Sequence, residues 1–400
     1  MSIHSNYKTI ESKHFFVHFP ENYKNLALFF LENSEKIHNE LSHQYKDNNK
    51  KTHFVIVIQQ DLTNAYTTVY GVDLIIFYLH PPLVGEFSNY ENWLYQLILH
   101  EYTHILTLRN YSGFSNSLFR FLFGIPPNLA LPNGLLEGIS VIEESYKKEI
   151  GRLWDSNTNS ILRQQIFYNK IPSFEEIMGG SYFWPLGEIP YLYGARYLDQ
   201  IIEEENKEKF IQVFNSKSLP IFLRSRFYSS NLKNPEDYYK NFIKKENNFL
   251  KQCVIQKIEK PITPYEQITY DGGYKGFLKM YQDDLFYFEK SSYKPSGIYN
   301  LNQRLYYKVS STFDFNIYNN SFITSEIVQN GNFYKTFLYL DGKEIIFYNN
   351  PTIDSKSKLF PFIHNENFYY VEIEDLKYKI IQSKFEKDKF GNVILKNSKT

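Results

Sequence analysis

Residues 97–106, LILHEYTHIL, set two histidines and a glutamate into an otherwise apolar helical run. A polar side chain in an apolar stripe costs free energy unless a partner satisfies it. The spacing shows what that partner can be. On a helix, residues i and i+4 share a face, so the imidazoles of His100 and His104 can point at one metal ion. Glu101, beside the first histidine, can reach a water at that ion rather than the ion itself. Its carboxylate would take the proton of a water whose pKa zinc lowers to about 7.

A three-ligand site needs a further residue on an element packed against this helix. No third histidine follows in HILTLRNYSGF. Glu137 opens a second helical pattern in PNGLLEGISVIEES, and Gly138 directly after it permits close helix packing. Glu144 lies seven residues further on, hence on the same face as Glu137, and could hold a ligating histidine from behind; Glu143 is the alternative.

Charge narrows the function classes. Lys plus Arg and Asp plus Glu number 44 each, so no basic excess points to nucleic acid or an anionic surface. The single cysteine, Cys253, excludes disulfide frameworks and cysteine-ligated metal sites, and reads as a small buried hydrophobe. There is no Gly-rich phosphate loop, no G-x-S-x-G elbow and no cysteine nucleophile. The N-terminus shows no signal peptide, and no uncharged apolar run reaches the ~18 residues of a membrane span. The nearest, SLFRFLFGIPPNLALPNGLL, is broken by Arg120, Pro126, Pro127 and Pro132. The chain reads as soluble.

The organisation is strand, helix, strand, strand, helix. HFFVHF (14–19) alternates, a helical pattern follows to about residue 45, and KTHFVIVIQQD (51–61) and GVDLIIFYLHPP (71–82) read as strands. Helix 91–109 carries the motif, and amphipathic patterns dominate to about residue 255. His14, His18, His53 and His80 sit on strand-like stretches as packed or surface residues. Two prolines in EKPITPYEQ (259–267) suggest a linker. Beyond it short aromatic strands alternate with turn residues, and Asp341-Gly342 suits a two-residue type I′ hairpin. The β-rich remainder is too short for a closed propeller of at least four blades of ~40–45 residues, which leaves a sandwich, a barrel or a partial propeller.

HEYTH followed by P-x-x-L-x-E-G-x-S-x-x-x-E resembles the gluzincin metallopeptidases of the peptidase MA-like type. More narrowly it is similar to bacterial proteins that join such a domain to a Tol-type β-propeller. HFFVHFP, DLTNAY with LIIFYLHPP, ESYKKEIGRLWDSNTNSILR and WPLGEIPYLYGARYLDQII agree, so the resemblance spans roughly residues 12–215. It implies an α+β, zincin-type metallopeptidase domain over 1–258: a mixed sheet, an active-site helix and a mostly helical lower half. A β-rich domain over 259–400 would follow. His100, His104 and Glu137 are the implied ligands of one zinc ion, and Glu101 the general base. The substrate would be a peptide or protein, adding as a strand to GVDLIIFYL as the sheet edge. Tyr193 is the implied oxyanion donor, with Tyr191 as alternative. Gly151-Arg152 and Arg163 also match; buried ion pairs are the expectation for them. Gly134, Ser140 and Ile142 depart from the family around the ligand helix. Exported relatives imply an extracytoplasmic location. The competing reading is a catalytically silent scaffold whose β-rich part recognises a partner.

Overall fold

The computed structural model describes residues 6–399 except 48–49, 59–60, 62, 81, 83–91, 147–149, 182–185, 259–263, 265, 271–272, 331–332, 348–355, 366, 375 and 388–392. Most of the expected linker and the Cys253 side chain thus lie outside the described residues. The chain is mixed α+β and forms two compact units. One comprises residues 1–57, 64–77 and 82–262; the other comprises 58–63, 78–81 and 263–400.

The first unit contains a five-stranded sheet of β1 (Tyr7–Glu11), β2 (Phe15–Pro20), β3 (Thr52–Val57), β4 (Asn64–Thr68) and β5 (Leu74–Tyr78), in the order β1-β2-β3-β5-β4. Strand β2 alternates, burying Phe15, Val17 and Phe19, and pairs antiparallel with β1 and parallel with β3. The parallel step requires a crossover, supplied by α1 (Lys24–Tyr45). Its buried Ala27, Phe30, Ile37, Leu41 and Tyr45 recur at helical spacing, and left-handed Lys46 ends it.

The helices that follow are α2 (Trp93–Arg109), α3 (Phe114–Phe123), α4 (Asn133–Tyr146), α5 (Ser156–Phe167), α6 (Phe174–Gly179), α7 (Ile189–Glu205), α8 (Lys207–Ile211), α9 (Leu223–Ser229) and α10 (Pro235–Ile258). Helix α2 is buried on nearly every side, with residues 96–103 all buried. Helix α4 packs on both α2 and α7. The α4–α7 approach depends on glycine: a Cβ at Gly138 would stand 2.8 Å from the Gly194 carbonyl carbon, and one at Gly194 2.7 Å from the Gly134 oxygen. Any side chain there would force α4 away from α7.

The sheet corrects one expectation. GVDLIIFYL is not the edge; β5 lies between β3 and β4, and β4 is the outer strand. The physical reason is visible in composition. Strand β5 buries Ile75 and Phe77 completely, as an interior strand can, whereas NAYTT is polar and incompletely buried.

The second unit holds three open sheets: β6 (Tyr274–Tyr281), β7 (Asp284–Lys290), β8 (Gly297–Asn300) and β9 (Leu305–Lys308); β10 (Thr312–Tyr318), β11 (Ser321–Asn330), β12 (Phe333–Leu340) and β13 (Lys343–Glu344); and β14 (Ile346–Phe347), β15 (Ser357–His364), β16 (Asn367–Glu374), β17 (Lys377–Lys387) and β18 (Val393–Lys399). The first two run in chain order and the third as β14-β18-β17-β16-β15. Among the described residues no sheet closes into a barrel and no closed propeller forms. Leu340 pairs with Lys343 across Asp341 (φ 46°) and Gly342 (φ 81°), the positive-φ pair that a type I′ hairpin requires.

Candidate metal centre

Helix α2 places His100 and His104 one turn apart, with their Nε2 atoms 3.2 Å from each other. Helix α4 brings the Glu137 carboxylate between them, Oε2 lying 3.4 Å from His100 Nε2 and 3.2 Å from His104 Nε2. All three donor atoms fall within 4.8 Å of one another, a group able to hold a metal ion.

The far side of each ring indicates which nitrogen faces inward. His100 Nδ1 is 3.0 Å from Glu144 Oε2, an acceptor only, so Nδ1 carries the proton in the neutral ring. His104 Nδ1 lies 3.3 Å from the Ser140 hydroxyl, which itself donates to the Leu136 carbonyl at 3.1 Å and is thus free to accept. Both neutral tautomers therefore turn an Nε2 lone pair toward the same point. Two lone pairs and a carboxylate oxygen repel one another unless a cation joins them. Glu137 Oε2 is buried with no hydrogen-bond donor of its own. Two nitrogens and one carboxylate suit a divalent ion of zinc type.

A second layer holds the first. Arg152, 5 % exposed, donates to Glu144 through Nε at 2.7 Å and Nη2 at 2.9 Å. The same Nη2 comes within 2.9 Å of His100 Nδ1, a contact rather than a donated bond while that nitrogen bears its proton for Glu144. Glu143 is committed elsewhere, accepting from Tyr45 at 2.8 Å and pairing with Lys207 at 2.6 Å. Burial and the Arg152 guanidinium disfavour a charged His100, yet the nearby Glu137 and Glu144 carboxylates outweigh both and raise its pKa to about 9. Against burial, the two histidines hold Glu137 far below the usual carboxylate range. Against burial likewise, Arg152 brings Glu144 down to about 2. A site that binds a proton this avidly is electrostatically suited to a metal cation.

Glu101 is not one of the converging donors. Its Oε2 accepts from the Thr67 hydroxyl at 2.5 Å, which ties the carboxylate to edge strand β4. The two tyrosines diverge. The Tyr193 hydroxyl donates to Gln165 at 2.6 Å, and the structure does not bring it to the cluster. Tyr191 does lie there: its ring stacks on His100 at 6.0 Å and 16°, and Arg152 stands 4.9 Å above it. Burial first, then the Glu137 carboxylate, push its phenol well above the ordinary value, so the hydroxyl stays a donor. Thr67 gave no sequence signal. Arg152 gave one, but its partner was not evident.

No family model matches the chain. An uncharacterized protein of Treponema pallidum (strain Nichols) is 25% identical over 238 residues, which cover 58% of this chain and 21% of that protein. The chain thus spans about a fifth of the length of the curated relative it matches. Among solved structures, the crystal structure of Legionella pneumophila aminopeptidase A in complex with aspartic acid shares 10% identity at a TM-score of 0.33, covering 85% of this chain and 35% of that one.

Proposed function

We propose that the first unit is a zinc-dependent peptidase. The observation that carries this reading is the convergence of two Nε2 lone pairs and a buried, donorless carboxylate oxygen on one point. His100, His104 and Glu137 would hold the ion. Zinc bound there would supply Lewis-acid polarisation of a carbonyl oxygen and acidify a water molecule. The rest of the chemistry belongs to the chain. Glu101, oriented by Thr67, takes the proton from water and returns it to the leaving amine nitrogen. Tyr191, kept protonated by its surroundings, donates to the developing oxyanion. An extended peptide adds to the outer edge of β4, whose main-chain groups supply strand-type hydrogen bonds.

Glu101→Gln separates holding the metal from using it. That variant should retain about one zinc per chain and lose hydrolysis of a peptide library by about three orders of magnitude or more. Unchanged hydrolysis in Glu101→Gln, or no turnover by zinc-loaded wild type, would remove the peptidase reading and leave a binding protein with a structural metal.

A further inference from the structure

The apolar stretch that is too broken to span a membrane is largely buried in its second half, but its first half, residues 117–124, is not. Helix α3 exposes Phe114 by 81%, Phe121 by 83%, and Leu122 and Phe123 by 63% each. Within it only Asn116 is buried; its amide donates to the main-chain carbonyls of Ser112, Ser216 and Ser218 at 2.8, 2.9 and 3.3 Å. One polar pin therefore holds the helix to the body while its apolar side faces outward. The same pin brings in the segment after Ser218, where Ile221 and Phe222 are 71% and 56% exposed. Isolated exposed apolar side chains need no explanation, but a contiguous set of phenylalanines and leucines marks an interaction site.

Charge identifies the occupant. Residues 102–136 and 209–235 contain no aspartate or glutamate. The cations here include Arg120, which stands 6.0 Å from the Tyr111 ring, and exposed Lys217. Here phenylalanine and leucine occupy the centre and cations flank it. That is the composition of a helix lying in the headgroup–acyl boundary of an anionic bilayer. Ten residues of helix give about 15 Å, half of a ~30 Å hydrocarbon core, so this element lies on a membrane rather than crossing it.

We infer that α3, with Ile221 and Phe222, is a docking surface for anionic lipid membranes. The inference does not depend on the metal centre. Phe121 and Leu122 would enter the acyl boundary, while Arg120 and Lys217 would meet phosphate headgroups. Such docking would present membrane-associated polypeptides to whatever site the first unit carries.

Flotation of the full chain with vesicles tests it. Wild type should float with phosphatidylglycerol–phosphatidylcholine vesicles and about tenfold less with phosphatidylcholine alone. Phe121→Ser with Leu122→Ser should reduce binding by about tenfold or more. Both side chains are exposed, so circular dichroism and thermal melting should match wild type. Phe121→Trp gives an independent readout: its emission should shift blue and be quenched by brominated acyl chains only when vesicles are present. Wild type that fails to float, or floats as well with both serines in place, overturns the inference. So does a concentration-dependent dimer abolished by the same serines, which would show that a second copy covers the patch.

Discussion

Helix α2 contributes to two histidine pairs, and they have opposite designs. At one face of α2 His14 and His38 stack face to face, 3.7 Å apart at 24°, so their nitrogens point past one another. His14 Nδ1 meets Glu35 at 2.7 Å, and His38 Nδ1 meets the α2 residue Tyr102 at 2.7 Å. At the other, His100 and His104 meet nearly edge-on, at 83°, with their Nε2 atoms converging and a carboxylate closing the group. Both pairs are largely shielded from solvent, near carboxylates and near an arginine. What differs is the direction of the lone pairs. Histidine and acid in proximity make a structural network; inward lone pairs with every outer nitrogen braced make a group able to hold a metal ion.

The largest effects should follow from removing a converging donor. His104→Ala or Glu137→Gln should lower zinc affinity by about a hundredfold or more, because one of three ligands is gone. His38→Gln should leave zinc content unchanged and cost about 1–3 kcal/mol in urea unfolding, since it breaks only a buried hydrogen bond. Equal metal loss in both variants would erase the distinction.

Arg152→Met probes the bracing. It leaves Glu144 buried without its cation, which should cost about 3–5 kcal/mol of stability and weaken zinc by about 10–100-fold. Urea unfolding and zinc competition measure the two separately, and a fully stable variant with wild-type affinity would show the brace to be idle.

The pairs should also respond oppositely to pH in chelator-treated protein. His100 is raised from 6.5 to about 9, so its contribution is complete below pH 6.5 and lost as pH rises through about 9. His38 is lowered from 6.5, by burial and then by His14, so its contribution holds above pH 6.5 and fades as pH falls below it. His100→Gln should flatten the alkaline limb of the stability profile, and His38→Gln the acidic one. Zinc should flatten the alkaline limb too, by taking the proton's place. The same limb lost in both variants would break the comparison.

Tyrosine substitutions should give the smallest changes. Tyr191→Phe should lower kcat by about 10–100-fold with little change in KM. Tyr193→Phe should leave kcat alone and cost about 1 kcal/mol through its lost bond to Gln165.

Much of this was readable in the chain because helical periodicity is a strong signal. Helices α2, α4 and α7 fall close to where apolar spacing puts them, and the glycine beside Glu137 makes the close α4–α7 approach that its position suggests. Two features could not be read. Strand β4 is a short polar edge with no alternating apolar face, so sequence alone points to the more hydrophobic β5 instead. Tyr191 and Tyr193, two apart on one helix, point about 200° apart, and nothing local says which faces α2. Arg152 stood out in sequence, yet its role depends on Glu144 and His100, which only the tertiary structure brings beside it.

X-ray absorption at the zinc edge tests the central claim most directly. The account predicts about one zinc per chain with a nitrogen–oxygen first shell near ~2.0–2.1 Å and multiple scattering from two imidazoles, one of which disappears in His100→Ala. Protein that takes up no zinc, or a spectrum unchanged by His100→Ala, would contradict it.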